Sequence, residues 1–99
     1  MNMQKLMMEA KKMQVKLQKE QAELENSTYE GNSSLVNIII NGKKEVKSVK
    51  INIDDDITKD DVEMLEDMIM LAMNDAVKKA DADKEKRLGK YGQGLTGLM

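Results

Sequence analysis

The sequence predicts an α+β chain: a long N-terminal helix, a three-stranded antiparallel sheet and a long C-terminal helix, joined into a dimer with projecting helices. Three observations predict it. Residues 2–25 place apolar side chains at helical spacing and contain neither Gly nor Pro. Residues 27–53 switch to strand-like alternation around an Asn-Gly pair. Residues 59–87 return to helical spacing, with apolar positions spread over too wide a sector to be covered from one side.

The first helix has two unlike faces. Met3, Leu6, Ala10, Met13 and Leu17 follow one another at spacings of 3, 4, 3 and 4 and continue, after a polar Glu20, to Leu24. This seam asks for a partner surface. At about 100° per residue, Lys5, Lys12, Lys16 and Lys19 fall within an arc of roughly 60° on another side. Met8, Val15 and Ala22 form a weaker apolar stripe at sevenfold spacing. A helix of about 24 residues is roughly 36 Å long. A globule of this size has little room to bury it, so part of it should project or meet a second chain.

The β region begins with a short strand candidate at Ser27–Glu30, followed by turn residues Gly31–Ser34. Val36, Ile38 and Ile40 alternate up to Asn41-Gly42, a pair suited to the positive φ angles of a type I′ hairpin turn. Val49, Ile51 and Ile53 share one face of the return strand. Val46 is out of phase with them, which predicts a bulge or a strand edge near Lys47-Ser48. Lys43, Lys44, Lys47 and Lys50 read as charges that protect a sheet edge.

The second helix opens with Thr58 as N-cap and Asp61 completing a capping-box variant. Val62, Leu65, Ile69, Ala72, Ala76 and Ala80 form its main stripe, widened by Met64, Met68, Leu71 and Met73 to about 200° of circumference. One side takes the sheet. The other most simply takes a symmetry mate, with Leu65, Met68, Ile69, Ala72, Met73 and Ala76 as the predicted dimer interface. A Met-rich surface for other proteins is the alternative.

Composition narrows the function. The 99 residues hold no Phe, no Trp, two Tyr and ten Met, so the core must be thin and a second chain would deepen it. The absence of Cys excludes thiolate metal sites and disulfides, and the absence of His removes the usual general base. Aligned from Asp54, a calcium loop would need Gly where Lys59 stands and Glu where Leu65 stands, so no metal is expected. There is no phosphate-binding glycine loop, and neither cofactor nor catalysis is expected. No apolar run is long enough to cross a bilayer and none reads as a signal peptide, which predicts a cytoplasmic protein with no membrane partner. The net charge of −2 conceals segregation: residues 54–67 carry a net −7, and the remainder is basic.

The stretch Glu63-Met64-Leu65-Glu66-Asp67-Met68-Ile69, followed by Ala72-Met73-Asn74-Asp75-Ala76, resembles the signature of the YbaB/EbfC family of bacterial nucleoid-associated proteins. Lys5-Leu6-Met7 through Gln14, the strand running into Asn41-Gly42, and Val49 to Asp54 are similar to that family's other elements, so the resemblance spans about residues 3–88. It implies one domain over residues 1–88; the family often carries a longer tail, and here the glycines at 89, 92, 94 and 97 predict a short flexible Gly-rich tail over 89–99. It also implies a homodimer that binds double-stranded DNA through projecting helices, in the nucleoid, with roles in nucleoid organisation and gene regulation. The basic residues it implicates are Lys5, Lys12, Lys16 and Lys19, with Lys84, Lys86, Arg87 and Lys90 at the end of the second helix. Two readings compete with it: an ordinary solvated lysine face, and a dimeric scaffold that binds another protein through the first helix or the Met-rich face of the second.

Overall fold

The computed structural model describes residues 2–91, and of Lys90 the backbone alone. Helix α1 (Met3–Asn26) starts at Asn2, whose side-chain oxygen accepts the Gln4 N–H at 3.0 Å. This satisfies one of the donors every helix start leaves open. Three strands follow, β1 (Thr28–Ser33), β2 (Val36–Asn41) and β3 (Val46–Ile51), as an antiparallel meander in the order β1-β2-β3. A 3-10 turn at Lys59–Asp61 leads into α2 (Val62–Leu88), and a second at Gly89–Tyr91 follows it. The predicted cap of α2 is present: the Asp61 carboxylate accepts both the Thr58 backbone N–H (3.0 Å) and its hydroxyl (3.1 Å).

The sheet departs from expectation at both turns. Gly31 and Asn32, read as turn residues, lie inside β1, and the connection is the two-residue loop Ser34-Leu35 with φ 49° at Ser34. The reason is packing. A Cβ on Gly31 would lie 1.9 Å from the Ala72 carbonyl oxygen and 2.5 Å from the Ala76 nitrogen, so α2 rests directly on the strand backbone. The second hairpin is also not a two-residue Asn-Gly turn. The Lys44 N–H reaches the Asn41 carbonyl at 2.9 Å, the Asn41 side-chain oxygen accepts from Lys43 and Glu45, and the left-handed residue is Lys44 (φ 65°). That is a three-residue loop, Gly42-Lys43-Lys44. The predicted bulge is where Val46 signalled it: Ile39 pairs with Ser48 and Ile40 with Val46, leaving Lys47 unpaired and Val46 back in phase.

The core is thin. Val36, Ile38 and Ile40 on one face of β2 meet Ala72, Ala76 and Ala80, with Tyr29, Met68, Met73 and Val77 at its margin. Small alanines let the helix approach closely, and Gly31 completes the fit. The outer edge of β1 is sealed by α2: Lys79 donates to the Glu30 carbonyl (2.7 Å) and Asp75 accepts the Asn32 N–H (3.0 Å). Two of the outward-facing backbone groups of β1 are thereby satisfied, and β3 forms the opposite edge of the sheet.

The helix does not reach β3. By register, Val46, Val49 and Ile51 stand on the same face as Ile40, Ile38 and Val36, yet every residue of β3 is exposed. Val46 and Val49 keep 50% and 52% of their surface. The molecule is also long, 72 × 20 × 15 Å with a radius of gyration of 19.6 Å. A compact chain of this length has about 13 Å. Much of the excess is α1, whose residues from Met3 to Lys16 are all exposed. Of the tail expected over 89–99, Gly89–Tyr91 form an ordered turn, and residues 92–99 lie outside the described residues.

Candidate nucleic-acid interface

A helix can offer its charges to a rigid polyanion only if its foot is held. The foot of α1 is held by apolar and polar contacts. Leu24 is buried, as is Leu88 at the end of α2. A Cβ on Gly42 would lie 1.9 Å from the Leu24 carbonyl oxygen, so the hairpin loop presses on the last turn of α1. The polar fastening centres on Arg87, which pairs with Glu20 (3.5 Å), Glu23 (3.1 Å) and Asp83 (2.9 Å). The Tyr29 hydroxyl donates to Asp83 at 2.5 Å, which brings β1 into the same network. Hydrogen bonds from Tyr29 and then Arg87 hold the Asp83 carboxyl below its usual range, while partial burial and the neighbouring Asp83 raise the Tyr29 phenol.

Above this foot α1 runs free. Tyr91 lines a shallow depression with Glu9, Lys12, Met13 and Lys16, so the chain leaving α2 reaches the middle of α1. The seam side of α1 faces α2 near Leu24, and beyond Met13 the same seam continues uncovered through Leu6 to Met3. Lys5, Lys12, Lys16 and Lys19 stand exposed along one side, and none of them pairs with an acid among the described residues.

The basic residues at the end of α2 do not extend this row as a group. Arg87 is committed to three carboxylates and acts as the clamp between the helices. Lys84 lies in a cleft with Lys43, Lys44, Gln21 and Glu25, where Lys44 pairs with Asp81 at 2.8 Å. Gln21 and Glu25 fall on the far side of α1 from the lysine row at about 100° per residue. Lys86 is exposed, and the side chain of Lys90 lies outside the described residues. Sequence reasoning treated Lys43 and Lys44 as edge protection. Their place beside Lys84 depends on how the loop packs against α1, which no local signal carries.

The acids are segregated in space as well as in sequence. Asp60, Asp61, Glu63, Glu66 and Asp67 sit at the start of α2, about 30 Å of helix away from the end that holds α1. Among the described residues no group of three or more acidic side chains could hold a metal ion, and no helix is long and apolar enough to cross a membrane.

The predicted dimer surface divides in two. Ala72 and Ala76 are buried against the chain's own sheet, and Leu65 is buried beside Leu35, Ile53 and Ile57. Ile69 remains exposed, and Met68 and Met73 half-buried. With the bare face of β3 and with Val62, they leave an apolar surface uncovered in the single chain.

Comparison with known proteins adds a relationship to this geometry. A family model described as the YbaB/EbfC DNA-binding family matches residues 1–95. A nucleoid-associated protein of Ruminiclostridium cellulolyticum is 42% identical, over 98% of this chain and 85% of its own length. One from Ligilactobacillus salivarius is 34% identical over 99% of this chain and 95% of its own. One from Lactococcus lactis subsp. cremoris is 40% identical over 96% and 97%.

Proposed function

The chain belongs to the YbaB/EbfC DNA-binding family, and from this premise we propose that it is a homodimeric nucleoid-associated protein that binds double-stranded DNA largely through lysine–phosphate contacts. The observation that carries the proposal is the row Lys5, Lys12, Lys16 and Lys19, unpaired among the described residues on a helix whose foot is clamped. Lysines in such a row act as point charges. They neutralise phosphates and release counterions, which gives affinity without dependence on sequence. Lys84, Lys86 and Lys90 are secondary candidates for the same contacts. The acidic start of α2 stands at the far end of that helix, and of the acids on α1 Glu9 lies beside Lys12 and Lys16. Residues 1–88 would form the single binding domain, with the Gly-rich end as its tail. In the cell the protein would sit on the nucleoid, organise it and influence gene expression. The chain has no His or Cys to suggest catalysis.

Titrating duplex DNA of mixed sequence at several salt concentrations tests the electrostatic mechanism. Each neutralised phosphate contributes about −0.9 to the log–log slope, so four contacts predict a slope of about −3.6. A slope near zero would refute it, and a wild-type chain that never retards duplex would leave the scaffold reading in its place.

The dimer rests on the uncovered face of β3 and α2. Isologous pairing of Val49, Ile51, Ile69 and Met73 with their symmetry copies would cover what α2 leaves bare and set the two α1 arms on one particle. The expected sedimentation mass is twice 11.2 kDa. Val49→Asp with Ile51→Asp is expected to halve it while retaining helical circular dichroism, because both side chains are exposed in the single chain. A double variant that still sediments as a dimer would move the interface elsewhere.

A further inference from the structure

The outermost stripe of α1 is apolar, and neither the fold nor the lysine row accounts for it. Met8, Val15 and Ala22 lie about 180° around the helix from the seam that faces α2. They therefore point away from the body, where a helix serving only as a solvated arm would carry polar residues. Met8 and Val15 retain 61% and 57% of their surface. Lysines flank them on both sides, and Met8, Lys11, Lys12, Val15 and Lys16 line one shallow trough. The full arrangement has Lys5, Lys12, Lys16 and Lys19 on one shoulder, Lys11 on the other and an apolar floor between.

We propose that α1 enters the major groove of duplex DNA with Met8 and Val15 against the base edges, and that the protein thereby favours sites presenting thymine methyl groups. The inference rests on the DNA-binding reading above. The groove is about 12 Å wide, which admits a helix of 10–12 Å diameter. In that pose the two lysine shoulders face the two phosphate walls, which complement their charge. Met8 and Val15 carry no hydrogen-bonding group, so they cannot read amides or carbonyls; Gln4, at a similar angle one turn before Met8, is the nearest side chain that could. The one apolar feature a base pair shows in the major groove is the thymine 5-methyl group. Met8 and Val15 are seven residues apart, about 10.5 Å along the axis, which corresponds to about three base steps at 3.4 Å. The preferred sites are thus A·T pairs about three steps apart.

Replacing every thymine in an A·T-rich duplex by deoxyuridine removes the methyl groups and preserves base pairing. At fixed salt the wild type is expected to bind the thymine duplex about fourfold more tightly for each methyl buried, and so up to about sixteenfold for two. Met8→Gln with Val15→Gln is expected to bring the ratio to one while the salt slope stays at its wild-type value, since the lysines are untouched. Three results would overturn the proposal. Equal wild-type affinity for both duplexes would do so and leave the lysine–phosphate mechanism standing. A change of oligomeric state in the double variant would make the stripe a contact between chains. Failure to retard either duplex would remove the DNA-binding reading itself.

Discussion

Gly31→Ala is expected to destabilise the chain by about 3 kcal/mol or more, while Gly89→Ala is expected to stabilise it by about 0.5 kcal/mol. The same added methyl group meets opposite surroundings. At Gly31 it would stand 1.9 Å from the Ala72 carbonyl oxygen and 2.8 Å from the Ala76 methyl, inside a buried contact between a strand and a helix backbone. Neither backbone can yield without lifting α2 off the sheet, which would loosen the alanine contacts with Ile38 and Ile40. Overpacking of this kind falls at or beyond the upper end of its usual range of about 1–3 kcal/mol. At Gly89 the backbone is already helical (φ −59°, ψ −31°), and the nearest atoms belong to the flexible end of Glu85. Alanine there restricts the unfolded chain without strain. Urea denaturation at one protein concentration, the same for all three proteins because the proposed association would contribute to stability, measures both effects. A cost below about 1 kcal/mol for Gly31→Ala would mean that α2 does not rest on β1 as described.

Gly31 also shows where reading the sequence stops. Its neighbours Asn32, Ser33 and Ser34 are turn formers, so local chemistry ended the strand too early. What keeps Gly31 in the strand is a helix more than forty residues away. Gly42 repeats the lesson. Asn41-Gly42 located the hairpin correctly, but the left-handed residue is Lys44, and Gly42 is required because the Leu24 carbonyl lies against it. Features set by neighbours in sequence were legible: the Asn2 start of α1, the Thr58–Asp61 cap, and the bulge announced by Val46 falling out of phase. The wide apolar sector of α2 announced more apolar surface than one face could cover, but it could not assign faces. Leu65, Ala72 and Ala76 turned inward, while Ile69 stayed exposed. Arg87 looked like one more cation beside Lys84 and Lys86, because Glu20 and Glu23, which hold it, lie more than sixty residues earlier. The lysine row was legible for the opposite reason. A single helix fixes its own angular geometry, and the residues from Met3 to Lys16 are all exposed.

Reversal of that row, with Lys5, Lys12, Lys16 and Lys19 all changed to Glu, is expected to lower affinity for duplex DNA by more than about a thousandfold while the fold and the proposed dimer persist. Each lysine–phosphate contact in high dielectric contributes about 1 kcal/mol, so losing four costs about 4 kcal/mol. Four new negative charges then add repulsion. The fold should tolerate the change, because all four positions are exposed and Glu forms helix about as well as Lys. No ion pair is lost, because none of the four lysines pairs with an acid among the described residues. Lys5 carries a further signature. The first turn of α1 contains no acid, although acids are favoured there, whereas Asp60, Asp61 and Glu63 stand at the start of α2. Lys5 occupies the third helical position after the Asn2 cap, where Glu would favour the helix dipole and complete a capping box. Lys5→Glu alone should therefore raise thermal stability by an amount equivalent to about 0.5 kcal/mol while weakening DNA binding. An ordinary solvated face has no reason to hold a cation at the position where an anion is more stable; a face that meets phosphate does. Gel retardation paired with thermal melting separates the two. If Lys5→Glu raises the melting temperature and leaves DNA affinity unchanged, or if the fourfold variant still retards duplex at wild-type concentrations, the row is not the contact surface.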